Sequence, residues 1–129
     1  MKYGKLYEDI QKLSDKLASN QDSYSVVRSV SVDYNAIRYL IVNELTLVEN
    51  EIGKKKTQLL SDLASDESKK KIMASSTLAS NYINGQLGDI NSKYEGLKRL
   101  YAGLKCSLDL CRSIMSGIKY EAQAINEAI

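Results

Sequence analysis

Apolar side chains recur along this chain at gaps of three and four, the pattern of a helix that buries one face. From Ile90 the run is unbroken: Ile90, Tyr94, Leu97, Tyr101, Leu104, Leu108, Cys111, Met115, Ile118, Ala122, Ile125 and Ile129. The gaps alternate between four and three, so the repeat averages 3.5 residues and predicts a heptad helix over 89–129. Gly88 breaks the chain before it and Asp89 is a suitable N-cap. At 1.5 Å per residue such a helix is about 60 Å long. A helix of that length calls for long partners. The seam Tyr94, Leu97, Tyr101, Leu104, Leu108, Met115, Ile118 and Ile125 is therefore expected to pack against further copies of the chain.

Ile37, Ile41, Leu45, Val48, Ile52 and Leu59 form a second seam after Asp33 and predict a helix over 33–64. Leu6, Ile10, Leu13 and Leu17 predict a shorter one over 5–19. Between these two, Val26, Val30 and Val32 stand among Ser and Asp at even spacing, which reads as an extended linker or a short strand, the linker preferred. The stretch 65–87 opens with Ser65-Asp66-Glu67-Ser68, a helix-start signature, and reads as a basic, polar helical segment. The expected fold is all-α: a single helical domain, 1–129, whose long heptad-repeat helices form an oligomeric helical bundle or coiled coil. Met115, Ala122 and Cys111 on the last seam do not follow the Ile/Leu preference of a parallel two-stranded zipper, so a bundle with several helices is favoured.

Composition narrows the function. The chain has no His, no Pro, no Trp and no Phe. Without His there is no triad base and no imidazole metal ligand, and no phosphate loop or dinucleotide fingerprint occurs, so neither an enzyme nor a cofactor is expected. Cys106 and Cys111 are five apart, which on a helix points them in different directions and forbids a bridge between them. No apolar run approaches a membrane span, and Met1-Lys-Tyr-Gly-Lys lacks the apolar core of a signal peptide, so a cytoplasmic protein without membrane contact is expected.

The formal charge of +2 hides a split. Residues 54–105 hold ten basic and five acidic side chains, a local excess of +5. Two triplets, Lys54-Lys55-Lys56 and Lys69-Lys70-Lys71, account for most of it and are the candidate phosphate contacts for a single nucleic-acid strand. Tyr82 is a candidate base-stacking ring. Lys98, Lys105, Arg112 and Lys119 recur every seven residues beside the long seam. If 65–87 runs back as a helix of its own, 33–64 and 89–129 lie parallel, and this stripe pairs with acids such as Glu44 and Glu51. The other reading of the stripe is that it holds phosphates.

A helix ending in a Lys cluster, a polar middle segment and a long terminal heptad helix together resemble the T-even-type phage recombination mediator family. The resemblance covers Ile52 to Ile125, more than half of the chain. Ile52-Gly-Lys-Lys-Lys matches the family's basic segment, and Leu108-Asp-Leu-Cys-Arg-Ser-Ile-Met-Ser-Gly-Ile-Lys-Tyr-Glu-Ala-Gln-Ala-Ile matches its oligomerising helix. Leu59-Leu60-Ser61 stands where the family has an aromatic pair, and Ser61 and Leu63 stand where it has further basic residues. The resemblance implies a ring-forming homo-oligomer that binds single-stranded DNA and works beside a RecA-like recombinase and a single-strand-binding protein. The competing expectation is a coiled-coil scaffold or adaptor that acts through protein–protein contacts alone.

Overall fold

The computed structural model describes residues 3–128. It is all-α: α1 (Tyr3–Ser19), α2 (Tyr24–Ser65), a single 3₁₀ turn (Glu67–Lys69), α3 (Lys70–Met73), α4 (Ser76–Gln86) and α5 (Gly88–Ala128), with no strand among the described residues. No helix of the described residues is long and apolar enough to cross a membrane. The chain divides into two units, one of 1–42 with 100–129 and the other of 43–99.

The expected linker before Asp33 is helix instead. α2 starts at Tyr24, and only Asn20 to Ser23 separate it from α1. Ser23 makes the start: its carbonyl accepts the Val27 N–H at 3.0 Å, and its hydroxyl accepts the Val26 N–H at 3.4 Å. The pattern that matters is Val27, Val30, Tyr34, Ile37, Ile41 and Val48, all buried and on one helix face. Burial at this 3–4 spacing outweighs the modest β preference of valine, because the cost of Val in a helix is only a few tenths of a kcal/mol and burying the side chain gains about 1.5 kcal/mol or more.

In the first unit α1, the first part of α2 and the last part of α5 share a core. Leu6 and Leu17 come from α1, Val27, Val30, Tyr34, Ile37 and Ile41 from α2, and Leu104, Leu108 and Cys111 from α5. Tyr34 is 1% exposed, and Ser14 of α1 and Ser107 of α5 act on its hydroxyl to oppose the effect of burial. The ring thus sits where three helices meet. Burial raises its pKa and also raises that of the neighbouring Cys111 thiol. Among the described residues no buried side-chain nitrogen or oxygen lacks a partner.

In the second unit the chain reverses over a short stretch. Asp66 caps the 3₁₀ turn, its carboxylate accepting from the Ser68 N–H at 2.9 Å and the Ser68 hydroxyl at 2.7 Å, which holds its pKa down. Ser75 caps α4 by accepting the Leu78 N–H at 3.3 Å. At Leu87 the passage from α4 to α5 keeps its helical bonds, Leu87 N–H to Ile83 O at 3.0 Å and Asn91 N–H to Leu87 O at 2.9 Å. The break expected at Gly88 is therefore only a local irregularity at a buried leucine.

Reversal at 66–75 brings α4 and the first part of α5 back beside α2 within the second unit. Within the second unit Lys93 meets Glu44 at 3.6 Å, while Gln86 and Leu87 share a groove with Gln58, Leu59 and Asp62, so α5 descends as α2 rises. Within the first unit Lys119 lies over Tyr24, and Ser107 stands beside Tyr34, which is the same antiparallel order. The parallel arrangement considered for 33–64 and 89–129 is thereby corrected. The reason is that 65–87 does not run back as one separate helix.

Candidate nucleic-acid interface

The six lysines of the two triplets all belong to the second unit. Successive helical positions are turned about 100° from one another, so Lys54, Lys55 and Lys56 fan around α2 and do not form one row. Lys55 pairs with Glu51 at 3.3 Å, and Lys70 with Glu67 at 3.3 Å. Lys69 lies 3.8 Å from Asp66 and donates to the Tyr82 hydroxyl at 3.1 Å. That hydrogen bond is the main reason its pKa is raised. Lys54, Lys56 and Lys71 meet no carboxylate within ion-pair distance among the described residues. The triplets divide into three engaged and three free ammonium groups.

Lys54 stands in a shallow groove of about 660 Å³ along α2, lined by Glu49, Asn50, Gly53, Lys54, Thr57, Gln58 and Ser61. Asn50, Lys54, Gln58 and Ser61 bring hydrogen-bond donors to it, whereas the Thr57 hydroxyl is spent on the Gly53 carbonyl at 3.0 Å. Glu49 accepts from the Tyr94 hydroxyl at 2.7 Å, and this bond to a carboxylate raises the Tyr94 pKa. Chemically the groove suits an oxyanion at the Lys54 end. No group of three or more possible metal ligands occurs among the described residues.

Tyr82 is not a free stacking platform. The Lys69 ammonium sits 5.2 Å from its ring centroid as well as on its hydroxyl, so one aromatic face is already taken.

The heptad stripe also differs from the expectation that it pairs with acids of the neighbouring helix. Lys98 pairs with Glu95 at 3.6 Å and lies 5.2 Å from the Tyr94 ring centroid. Arg112 pairs with Asp109 at 3.4 Å, and Lys119 lies 5.3 Å from the Tyr24 ring centroid. Glu44 and Glu51 are taken by Lys93 and Lys55. The near acid three residues back on the same helix wins because it needs no inter-helix register.

The seam is covered by the chain's own helices over much of its length. Leu97, Leu104 and Leu108 are buried, Tyr94, Tyr101, Met115 and Ile118 are half-buried, and Ile125 is exposed. In the first unit the residues that cover Leu104 and Leu108 include those of α1 and α2 of the same chain.

The local excess of +5 shrinks when the unit boundaries are applied. Residues 43–99 carry nine basic and eight acidic side chains, a net +1, because Glu44, Glu49 and Glu51 join the unit and Lys105 leaves it. Any polyanion contact in this unit rests on individual free lysines and not on a broad positive field. No known protein family, curated protein or solved structure matches the chain.

Proposed function

We propose that this protein is a non-catalytic, self-associating helical protein that binds the phosphate backbone of single-stranded DNA, as an accessory to recombination or replication. The observation that carries this reading is the division among the lysines: Lys54, Lys56 and Lys71 keep uncommitted ammonium groups while the acids beside the triplets are occupied by Lys55, Lys69 and Lys70. Free lysines release counterions when they meet phosphates. The binding is therefore weak, sequence-independent and steeply dependent on salt.

Fluorescence anisotropy of a labelled oligonucleotide, read at low and at moderate salt, tests this. The parent protein binds at low salt and loses affinity steeply as salt rises. The combined variant Lys54→Gln, Lys56→Gln, Lys71→Gln loses about three counterions' worth of salt slope, about 0.7 per phosphate contact on a single strand. The matched variant Lys55→Gln, Lys69→Gln, Lys70→Gln changes the slope less. Equal losses in the two variants sink the assignment of the free lysines, and no binding by the parent at low salt sinks the nucleic-acid reading.

A further inference from the structure

The face of α2 turned away from the core of the first unit is unusually apolar for a helix surface. Val32 is 60% exposed, Tyr39 65% and Leu40 52%. Val32 and Tyr39, with Ser25, Ser29 and Ala36, follow the spacing 25, 29, 32, 36, 39, a second 4–3 repeat on the side opposite Val27, Val30, Tyr34, Ile37 and Ile41, and Leu40 flanks it. A groove of about 420 Å³ lies along its start, lined by Tyr24, Ser25, Arg28, Ser29, Val32 and Asp33.

We infer that this face is where a second copy of the chain docks, its α2 lying parallel to and in register with this one. The charges single out a copy of the same helix. In the outer repeat Arg28 immediately precedes the Ser29 seam position and Asp33 immediately follows the Val32 position. In a parallel in-register pair the residue before one seam position faces the residue five places on in the other helix, so Arg28 faces the partner's Asp33 and the partner's Arg28 faces Asp33. Neither side chain has an ion-pair partner within the chain among the described residues. Asp9, Lys12 and Leu13 of α1 share a groove with Asp33, Ala36 and Ile37 at one edge of this face, while Val32 and Tyr39 stay exposed. An antiparallel pair sets each flank against its own kind and never brings Arg28 to Asp33. Ala36 and Ser29 on the seam are small enough for close helix approach.

This inference names the surface for the self-association in the proposed function, and its test contains no DNA, so it can fail or hold while DNA binding does the opposite. Sedimentation equilibrium of the parent chain, across micromolar to hundreds of micromolar protein, gives a mass approaching twice the 14.4 kDa of one chain. Val32→Glu with Tyr39→Glu returns it to the mass of one chain with helicity unchanged by circular dichroism. Arg28→Asp weakens the dimer about tenfold, since two symmetry-related attractions become repulsions. Adding Asp33→Arg to that variant restores the parental affinity, which a merely structural Arg28 would not do. A parent that stays at one chain's mass overturns the inference. So does a dimer dispersed by Ile118→Glu with Ile125→Glu but not by the α2 variant, or a charge reversal that fails to rescue.

Discussion

Two stretches of α5 in the first unit carry the same heptad code and end in opposite surroundings. Leu104, Leu108 and Cys111 are at most 2% exposed, whereas Met115 and Ile118 are half-buried and Ile125 is 62% exposed. The difference is not in the seam residues, which are as apolar at Ile118 and Ile125 as at Leu104. It lies in where the partner ends. Lys119 is level with Tyr24, the first residue of α2, so the nine residues from Tyr120 to Ala128 extend about 13 Å past it. A heptad states that a face wants covering. How far it is covered is decided by a helix start encoded about ninety residues away in sequence.

Breaking the covered stretch has the largest expected effect. Leu104→Ala removes a buried side chain from a core shared by three helices and lowers stability by about 3 kcal/mol, from lost transfer energy plus the residual cavity. Urea unfolding followed by circular dichroism measures this, as a lower midpoint at unchanged slope. A loss below about 1 kcal/mol would mean that the α5 core position is not packed against α1 and α2.

A smaller effect separates packing from polar linkage within the same core. Tyr34→Phe keeps the ring and removes the buried hydroxyl beside Ser14 and Ser107, costing about 1 kcal/mol at neutral pH. It also changes the alkaline limb. Burial raises the Tyr34 pKa above its ordinary value near 10, so the folded chain holds this proton at pH values where the unfolded chain releases it. The corresponding stability is intact below about pH 10 and is lost as pH rises toward the folded value. Tyr34→Phe therefore flattens the fall in unfolding free energy above about pH 10. Cys111 leaves a remaining slope in the same direction at somewhat lower pH, because burial raises its thiol too. An unchanged alkaline limb in Tyr34→Phe would rule out Tyr34 as the group that is held protonated.

How much of this was legible in the sequence follows from which interactions are local. The α5 seam, the α1 stripe and the polar reversal near Asp66 rest on spacing and caps within a few residues, and periodicity finds them. The start of α2 was missed because Val26, Val30 and Val32 alternate like a strand, while the residues that decide the matter are Val27, Val30 and Tyr34 facing a core built by α1 and α5. Ser23 before the two valines was the available signal. The partner of the α5 seam was not legible either, because a heptad reads alike whether its partner is another chain or an antiparallel stretch of the same one. For the lysines, sequence could find the triplets but not the division into free and engaged groups. That depends on Glu51, Asp66, Glu67 and Tyr82 reaching particular ammonium groups.

The smallest expected effect is the sharpest test of the opening contrast. Ile125 sits on the same seam as Leu104 and has the same number of side-chain carbons as that leucine, so hydrophobicity alone assigns both positions similar weight. At 62% exposure, however, truncating it removes little apolar area from a buried environment. Ile125→Ala should change the unfolding free energy by no more than about 0.5 kcal/mol, with a slight gain possible from the better helix propensity of alanine. The measurement is best made at two protein concentrations. A near-zero effect at both would show that the seam is energetically silent where its internal partner ends. A loss above about 1 kcal/mol that grows with concentration would show that another chain covers Ile125, and the self-association surface would then move from the outer face of α2 to the end of α5.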